Sequence, residues 1–336
     1  MRPLLLLLIC LFVACNSTST QESSKAEPID KQFFLELGGE EQYIEIRSSS
    51  SDNPILLFLH GGPAWPQTPQ FRYFNAELEE AYTLVVWEQR GAGKNFAKNP
   101  KPDNLSLDQI VKDGLELTHW LQQEYGQKKI YLAGYSWGSL VGVKMVQQEP
   151  AHYKAYFGVA QFINMTEGMK ISQNWLKEMA IENDDKLALA KLDSLAKPDM
   201  YADEHDRFFQ QYLLVNDYKG ALHNTDAIPE MEKAQTGYED YKDYDWYGVW
   251  EASSKVLQKD FYVQDVREIK ALAVPVILFQ GRHDWNVPSV LAEAWLDQLQ
   301  APKKEIIWFE NSGHGPLEEE PKAFNEAMMA VRQKLE

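Results

Sequence analysis

The composition of the chain limits both its architecture and its partners. The chain has 336 residues, of which 44% are hydrophobic and 25% charged, and this suits one large domain with an insertion or two small domains. A formal net charge of -17 argues against nucleic-acid binding by counterion release, because such a chain repels phosphate. We interpret the acidity as an aid to solubility, with a weak bias towards cationic or amine substrates.

Residues 1–15 have the pattern of an export signal. Arg2 precedes an apolar run that is too short to cross a bilayer comfortably as a helix. The end of this run, Phe12-Val13-Ala14-Cys15, resembles the lipobox of bacterial lipoproteins, in which the cysteine is lipidated, although that family prefers Leu at the position of Phe12. We therefore expect a lipoprotein-type signal that leads to a bacterial membrane, facing the periplasm or the cell exterior. The alternative is an ordinary signal peptide in which Cys15 is incidental.

The segment after the signal is predicted to be a flexible linker over residues 16–30, because it is rich in Ser, Thr and charge. Cys10 and Cys15 are the two cysteines of the chain. Both precede the predicted linker, so the exported chain would contain no internal disulfide.

The first strands are predicted from apolar alternation and from one continuous apolar run. Residues 33–37 and 42–47 flank Gly38-Gly39 and predict a hairpin. Residues 55–59 are all apolar, which is typical of a central strand covered on both faces.

The loop after this strand, His60-Gly61-Gly62-Pro63-Ala64, is a candidate half of an oxyanion hole. Glycines directly after a buried strand allow backbone N–H groups to face a ligand, and we assign this role to Gly62. A tight Gly-Pro turn without catalytic meaning is the alternative. We expect His60 to brace the loop rather than to act as a base.

Residues 83–87 predict a further buried strand, which runs into Glu88 and Arg90. On physical grounds these two charged residues are either an ordinary solvated pair or a brace beneath the loops of the site. The apolar spacing of residues 106–125 then predicts an amphipathic helix that ends at Gly126.

The segment from Lys129 to Met145 predicts a strand, a sharp turn and a helix. The turn reads Gly134-Tyr135-Ser136-Trp137-Gly138, which is G-x-S-x-G. A serine on such a turn presents its hydroxyl outward beside the positive end of the helix, so we predict Ser136 as a nucleophile. The N–H group of Trp137 would supply the second half of the oxyanion hole. A Gly-Ser turn that merely caps a helix is the alternative.

Residues 161–265 are predicted to form a helical cap, because glycine falls, aromatic and acidic residues rise and continuous strand runs end. Within it we predict a helix over 179–195, and residues 206–218 carry several aromatic and leucine side chains. Residues 238–247 are dense in aromatics, and either line a substrate pocket or pack between helices. His205 and His223 lie far apart among acidic residues without a metal-binding spacing, so we assign no metal, and we expect His119 to be a packing or surface residue.

Two more candidate catalytic residues follow the last predicted strands. Asp284 comes just after the strand predicted at 274–279, and it can accept a hydrogen bond from a histidine ring. His314 lies between glycines after the strand predicted at 305–309, and such a loop lets it reach a serine hydroxyl. The chain order Ser136, Asp284, His314 is the order of nucleophile, acid and base in α/β hydrolases. Alternatives are Asp284 as a helix-start residue and His283 as a rival base.

Three motifs in this order, His-Gly-Gly-Pro at 60–63, Trp-Glu-Gln-Arg-Gly-Ala-Gly at 87–93 and the serine turn, resemble the prolyl iminopeptidase family of α/β hydrolases. The resemblance covers residues 32–160 and 270–336. It implies an α/β-hydrolase fold with a mostly parallel central sheet, an inserted helical cap and no cofactor. The chain departs from the family at Ala64, Glu88 and Asn95, where the family has Gly, Asp and Ser, and these departures bear on substrate preference.

The predicted organisation is a signal at 1–15, a linker at 16–30, a core at 31–160 and 266–336, and the cap at 161–265. The resemblance implies a serine aminopeptidase that releases N-terminal proline or a similar residue from short peptides. Such an enzyme must hold a free amine, and some family members carry a Glu directly after the triad Asp, where this chain has Trp285. Glu167, Glu178 and Glu204 in the cap are possible replacements for that carboxylate, and we take Glu167, Glu204 and Trp285 as candidate substrate-binding residues. An esterase or other acyl hydrolase with the same triad is one alternative, and a non-catalytic, peptide-binding surface lipoprotein is another. The oligomeric state is left open.

Overall fold

The computed structural model describes residues 26–197, 200–201 and 203–336. The predicted signal at 1–15 and the lipidation of Cys15 lie outside these residues, as does most of the predicted linker. Within the described ranges, none of the helices is both long and apolar enough to span a membrane.

One eight-stranded sheet forms the centre of the molecule. Its strands are β1 (Ile29–Leu37), β2 (Glu40–Ser48), β3 (Ile55–Leu59), β4 (Thr83–Trp87), β5 (Ile130–Tyr135), β6 (Tyr153–Val159), β7 (Val276–Gly281) and β8 (Lys304–Phe309). They lie in the order β1-β2-β4-β3-β5-β6-β7-β8. The first two pairings, β1 with β2 and β2 with β4, are antiparallel, and the other five are parallel. This is the mostly parallel sheet that was expected.

Twelve helices accompany the sheet within the described residues. They are α1 (Thr68–Phe74), α2 (Gly93–Lys98), α3 (Leu107–Tyr125), α4 (Trp137–Gln148), α5 (Met165–Glu182), α6 (Lys186–Leu195), α7 (Glu204–Asp217), α8 (Ile228–Thr236), α9 (Trp246–Tyr262), α10 (Ser289–Gln298), α11 (Pro316–Glu319) and α12 (Pro321–Leu335).

The sheet is covered on both faces, which explains the continuous apolar runs of its central strands. Ile55, Leu57 and Leu59 of β3 pack into one apolar cluster together with α3 and α4. Leu56 and Phe58 point to the opposite face and pack with α12. All five side chains are fully buried, and this burial on both sides is the main favourable contribution to the stability of the central strands.

The local signals of the hairpin and of the first long helix are confirmed. Gly38 and Gly39 adopt φ of 57° and 78°, which places the chain reversal between β1 and β2 where only glycine is unstrained. Ser106 caps α3 by accepting a hydrogen bond from the Gln109 N–H, and Gly126 ends the helix at a left-handed φ of 65°.

One predicted helix is wrong, because the structure divides it into two helices. The apolar spacing suggested a single helix over residues 179–195, whereas α5 ends at Glu182 and α6 begins at Lys186. Asp184 adopts a left-handed φ of 50°, which helices do not contain. The Asp185 carboxylate accepts the N–H groups at the start of α6, so the turn provides a new cap.

Helices α5 to α9 lie in the chain between β6 and β7, and residues of α7, α8 and α9 line a cavity together with residues of the loops that follow β3, β7 and β8. Their contacts with α1, α3 and each other join this helical region to the rest of the molecule. The division into a core and a cap at residues 160 and 265 stays a prediction.

Candidate active site

Ser136 occupies a strained turn between β5 and α4, with φ of 51° and ψ of -115°. The two glycines of the turn allow its close packing. A Cβ on Gly134 would lie 2.3 Å from the Gly138 carbonyl oxygen, and one on Gly138 would lie 2.2 Å from the Leu59 carbonyl oxygen. Since real Cβ atoms do not approach backbone that closely, the turn requires glycine at both positions. A positive φ at a non-glycine residue is a strained conformation of the kind that clusters at functional sites.

The structure brings Ser136, His314 and Asp284 into one chain of hydrogen bonds. His314 Nε2 lies 3.0 Å from Ser136 Oγ, and His314 Nδ1 lies 2.8 Å from Asp284 Oδ2. The other Asp284 oxygen accepts the backbone N–H groups of Asn286 and Val287 at 3.0 and 2.8 Å. These two N–H groups hold the Asp284 carboxylate in place. Because an ionised carboxylate can only accept a hydrogen bond, the ring proton of His314 is on Nδ1. Nε2 is then left to accept the serine proton.

His283, the rival base, is directed elsewhere. Its ring stacks on that of His223 at a centroid separation of 3.5 Å and an interplanar angle of 7°. Burial, followed by the charge of His283, lowers the pKa of His223.

A second carboxylate holds the loop that carries His314. Glu319 accepts backbone N–H groups of Gly313 at 3.0 and 3.1 Å and Gly315 at 3.0 Å. It also accepts the N–H groups of His223 and Asn224, both at 2.8 Å. Burial raises the pKa of Glu319, and these N–H groups oppose the rise. Glu319 thus ties the histidine loop to the segment between α7 and α8.

The two predicted oxyanion donors flank the serine. Gly62, with φ of 114°, lines the cavity beside Ser136 and His314. The Trp137 N–H stands at the first turn of α4, where helix N–H groups have no partner within the helix. Among the described residues, neither N–H group donates to another protein atom. Both are available to a ligand, while the Trp137 indole is buried and donates to Gln89 Oε1 at 3.0 Å.

His60 braces the loops beneath the site, as expected. Its Nε2 accepts the Gln89 N–H at 2.9 Å, and its Nδ1 donates to the Gly61 carbonyl at 2.8 Å. Burial lowers the pKa of His60 to about 4, so the ring is neutral at physiological pH. Gln89 then connects this loop to the serine turn through the indole of Trp137.

Glu88 and Arg90 are not a solvated pair, and they do not pair with each other. Arg90 is buried and bonded to Asp113 at 2.9 Å. Glu88 is fully buried and accepts the Lys94 N–H at 2.6 Å and the Tyr241 hydroxyl. Burial raises the pKa of Glu88. The brace interpretation is the one that agrees with the structure, but each residue braces a different neighbour.

A cavity of about 430 Å³ opens above Ser136 and His314. Much of its lining is aromatic and comes from α7 and α9. The lining residues are Gly62, Trp65, Gln67, Tyr135, Ser136, Phe208, Phe209, Tyr212, Ala221, Leu222, Ile228, Met231, Glu232, Gln235, Tyr247, Trp250, Asn286, His314, Gly315 and Glu318. Such a pocket combines apolar walls with few polar groups, as small-molecule sites do.

The residues proposed from sequence to bind substrate are not among those that line this cavity, and their role in substrate binding stays a prediction. Glu167 faces Lys170 on the surface of α5, at 4.0 Å, and Glu204 pairs with Arg207 one helical turn away. The Trp285 ring stacks on Trp175 at 4.9 Å and 4°, within the apolar packing of the helical region. Glu178 is exposed on α5. Each of these side chains has a structural partner or faces solvent.

Glu318 is the carboxylate that sequence reasoning missed. It lines the cavity, and within the described part of the chain its carboxylate has no hydrogen-bond partner. Burial, with the neighbouring charge of Glu319, raises its pKa to about 7, while His314 acts in the opposite direction. The signal that could have found it is its position four residues after His314, in the short helix α11 that directly follows the loop of the candidate base. Glu232, from α8, is the second carboxylate of the lining.

Comparison with known proteins identifies related sequences over most of the chain. The family model described as "Alpha/beta hydrolase family" matches residues 56–327. A protein from Bacillus subtilis named probable aminopeptidase is 29% identical over 301 residues, which are 86% of this chain and 92% of that protein. A proline iminopeptidase from Lactobacillus helveticus is 24% identical over 283 residues, 82% of this chain and 88% of its own.

Solved structures agree on the fold. A proline iminopeptidase-related protein from Thermus thermophilus superposes with a TM-score of 0.64 at 19% identity, covering 91% of this chain and 98% of that one. A 2-hydroxy-6-oxo-6-phenylhexa-2,4-dienoate hydrolase from Rhodococcus gives a TM-score of 0.60 at 18% identity, with coverages of 92% and 99%. At these identities the likeness concerns the fold alone, which is the α/β-hydrolase fold.

Proposed function

Since this chain belongs to the alpha/beta hydrolase family, we propose that it is a serine aminopeptidase that releases N-terminal proline or a similar residue from short peptides. The observation that carries the proposal is the hydrogen-bonded series Ser136–His314–Asp284, with separations of 3.0 and 2.8 Å. The relatives named probable aminopeptidase and proline iminopeptidase support the peptide as substrate.

In the proposed reaction, Ser136 Oγ attacks the carbonyl carbon of the scissile bond. His314 Nε2 takes the serine proton and then donates it to the leaving amine, which gives an acyl-enzyme. Asp284 holds the ring and stabilises the imidazolium. Water then attacks the acyl-enzyme while His314 Nε2 takes its proton. His314 returns this proton to Ser136 Oγ as the acyl group is released as a carboxylic acid, so both residues regain their starting forms.

The negative charge that develops on the carbonyl oxygen needs donors that are already in place. We assign this role to the N–H groups of Gly62 and Trp137. Their positions beside Ser136, and the absence of other acceptors for them among the described residues, support the assignment. Loss of one such donor typically lowers kcat by about a hundredfold to a thousandfold.

An aminopeptidase must also recognise a free ammonium group. We assign this recognition to Glu318, with Glu232 as a second carboxylate of the same cavity. Glu318 is half-buried beside the catalytic histidine and lacks a protein partner among the described residues, so an ammonium group would supply the counter-charge that it lacks. The sequence candidates Glu167 and Glu204 are engaged by neighbouring cations on the surface.

The test is hydrolysis by the full-length chain of three substrates: a proline arylamide, its N-acylated form and a short-chain aryl ester. We expect cleavage of the free-amine arylamide, weak or no cleavage of the N-acylated form, and complete loss in Ser136→Ala. Cleavage of the ester alone would refute the aminopeptidase and leave a serine hydrolase. Turnover that persists in Ser136→Ala would refute the catalytic serine itself.

An esterase or acyl hydrolase with the same residues is the second candidate, and the cavity wall favours it. Phe208, Phe209, Tyr212 and Trp250 give the cavity an aromatic side suited to an apolar acyl group. Glu318→Gln separates the two candidates, because it should weaken cleavage of a free-amine substrate and leave ester hydrolysis unchanged. A chain without turnover on any of the three substrates would favour the non-catalytic, peptide-binding alternative.

We further propose that the chain is exported and lipid-anchored through Cys15, on the strength of the signal-like residues 1–15. Incorporation of a labelled fatty acid in a bacterial host is the test. Cys15→Ser should abolish labelling, and Cys10→Ser should not. Labelling that survives in Cys15→Ser, or that is absent from the parent chain, would contradict the anchor.

A further inference from the structure

Three potential metal ligands converge on the surface far from the cavity. They are His119 on α3, Glu149 at the end of α4, and His152 in the turn that precedes β6. Glu149 Oε2 lies 2.6 Å from His119 Nε2 and 3.5 Å from His152 Nε2. The ligand atoms of the three residues all lie within 4.8 Å of one another.

A neighbouring side chain fixes the orientation of one of these rings. His152 Nδ1 lies 2.8 Å from Gln122 Oε1, and this amide oxygen can only accept. The ring proton of His152 is therefore on Nδ1, and the Nε2 lone pair faces Glu149 and His119. Metal-binding histidines typically have such a hydrogen bond on the nitrogen that does not bind the ion.

The backbone around the cluster is held by regular structure. His119 lies within the 19-residue helix α3. The Glu149 N–H donates to the Met145 carbonyl at 3.0 Å, and the His152 N–H donates to the Glu149 carbonyl at 3.2 Å. Three ligands from two helices and a turn are thus presented on fixed backbone, and only side-chain rotations are needed to adjust their distances.

From this geometry we infer that His119, Glu149 and His152 form a binding site for a divalent transition-metal ion such as zinc. Zinc binds histidine nitrogens and carboxylate oxygens at about 2.0–2.2 Å, so tetrahedral ligands are separated by about 3.3 Å. The separation of 3.5 Å already fits this value, and that of 2.6 Å must widen by a side-chain rotation. The ion displaces the hydrogen bond between His119 and Glu149: the His119 ring binds through Nε2 as the neutral tautomer with its proton on Nδ1, and water completes the coordination.

The site acts on stability rather than on catalysis. The 12-residue helix α4 separates Glu149 from Ser136, a distance of about 18 Å along the helix. Bound zinc would join the second half of α3 to the turn before β6. Because it binds the folded chain only, a hundredfold excess over its dissociation constant should raise the Tm by roughly 5 °C.

The experiment is calorimetric titration of the metal-free full-length chain with zinc chloride. Cys10→Ser and Cys15→Ser are introduced throughout, so that no thiol competes for the ion. We expect one ion per chain, affinity at least tenfold weaker in His119→Gln and in His152→Gln, and no rise in Tm with zinc in the double variant. These two side chains are partly exposed, so their substitution should leave the fold intact.

His314→Gln is the matched control, because His314 and Asp284 form a second histidine–carboxylate pair among the described residues that zinc could reach. It should leave the stoichiometry and affinity unchanged. Equal affinity in all variants, the absence of saturable binding, or binding lost only in His314→Gln would overturn the inference.

Discussion

Two adjacent glutamates, Glu318 and Glu319, should respond in opposite ways to the same substitution. Glu319→Gln should destabilise the protein, whereas Glu318→Gln should leave its stability unchanged or slightly increased. Both side chains are carboxylates of α11 near His314, and they differ in their partners. Glu319 accepts four backbone N–H groups, and Glu318 accepts none among the described residues.

The expected size of the Glu319 effect follows from its hydrogen bonds. Oε1 accepts from Gly313 and Gly315, and Oε2 accepts from Gly313, His223 and Asn224. An amide group at either oxygen would turn a donor towards at least one of these N–H groups and leave it unsatisfied. The remaining hydrogen bonds would also be weaker, because their acceptor would no longer carry a negative charge. A cost of about 2–4 kcal/mol in the free energy of unfolding follows.

Urea unfolding followed by circular dichroism measures this difference, with the two variants and the parent compared at the same pH. Hydrolysis of a substrate cleaved by the parent supplies a second readout. Displacement of the His314 loop in Glu319→Gln should lower kcat by roughly tenfold to a hundredfold. Glu318→Gln should instead raise the KM of a free-amine substrate.

Equal unfolding free energies for Glu319→Gln and the parent, within about 0.5 kcal/mol, would refute this reasoning, since surface substitutions commonly fall in that range. So would a Glu318→Gln variant that is as unstable as Glu319→Gln. Either outcome would mean that the histidine loop is held by something other than the Glu319 carboxylate.

Three further predictions concern the turn, the pH dependence and the stacked histidines. Gly138→Ala should cost at least about 3 kcal/mol of unfolding free energy in the same urea assay, because its Cβ would lie 2.2 Å from a carbonyl oxygen of β3. Gly168→Ala is the control: the nearest contact of its Cβ would be at 3.4 Å, so this variant should be neutral or stabilising. The KM for a free-amine arylamide should rise as the pH falls below about 7, because protonation of Glu318 removes its charge; a KM profile that keeps this rise in Glu318→Gln would assign the titration to another group. His283→Asn should raise the lowered pKa of His223 towards its ordinary value, as measured by NMR titration. A lowered pKa in the folded state costs stability as the pH falls below about 6.5, so the variant should also lose less stability in acid. An unchanged pKa of His223 would mean that burial alone causes the shift.

Some errors in the sequence interpretation have a local cause. The helix predicted over 179–195 ran through residues 182–186, which contain no apolar residue and include Asn183 and Asp184. The left-handed turn at Asp184 became visible only in the backbone. Asp and Asn tolerate that conformation, and three of them in succession, Asn183, Asp184 and Asp185, were a signal that could have divided the helix.

The sequence also does not show which partners the charged side chains have, because these partners depend on the tertiary structure. Glu167 and Glu204 lie in the helical region expected to contact substrate, but each faces a cation on its own helix. Glu318 lies outside that region and points into the cavity. The metal-ligand cluster has the same character, because His119 is 30 residues away from Glu149 and no local spacing connects them.

By itself the sequence determined the strands, the order of the candidate catalytic residues and the turn that carries Ser136. These depend on short-range physics: continuous apolar runs define β3 and β4, and glycine is required wherever a Cβ would collide with backbone. Only the tertiary structure decided which side chains meet. The 3.0 Å separation of Ser136 and His314 spans 178 residues, and the partner of Glu319 is a segment almost 100 residues earlier. Such contacts depend on how helices and loops pack around the sheet, and the direction of a side chain at the end of a loop is fixed by that packing rather than by its neighbours in sequence.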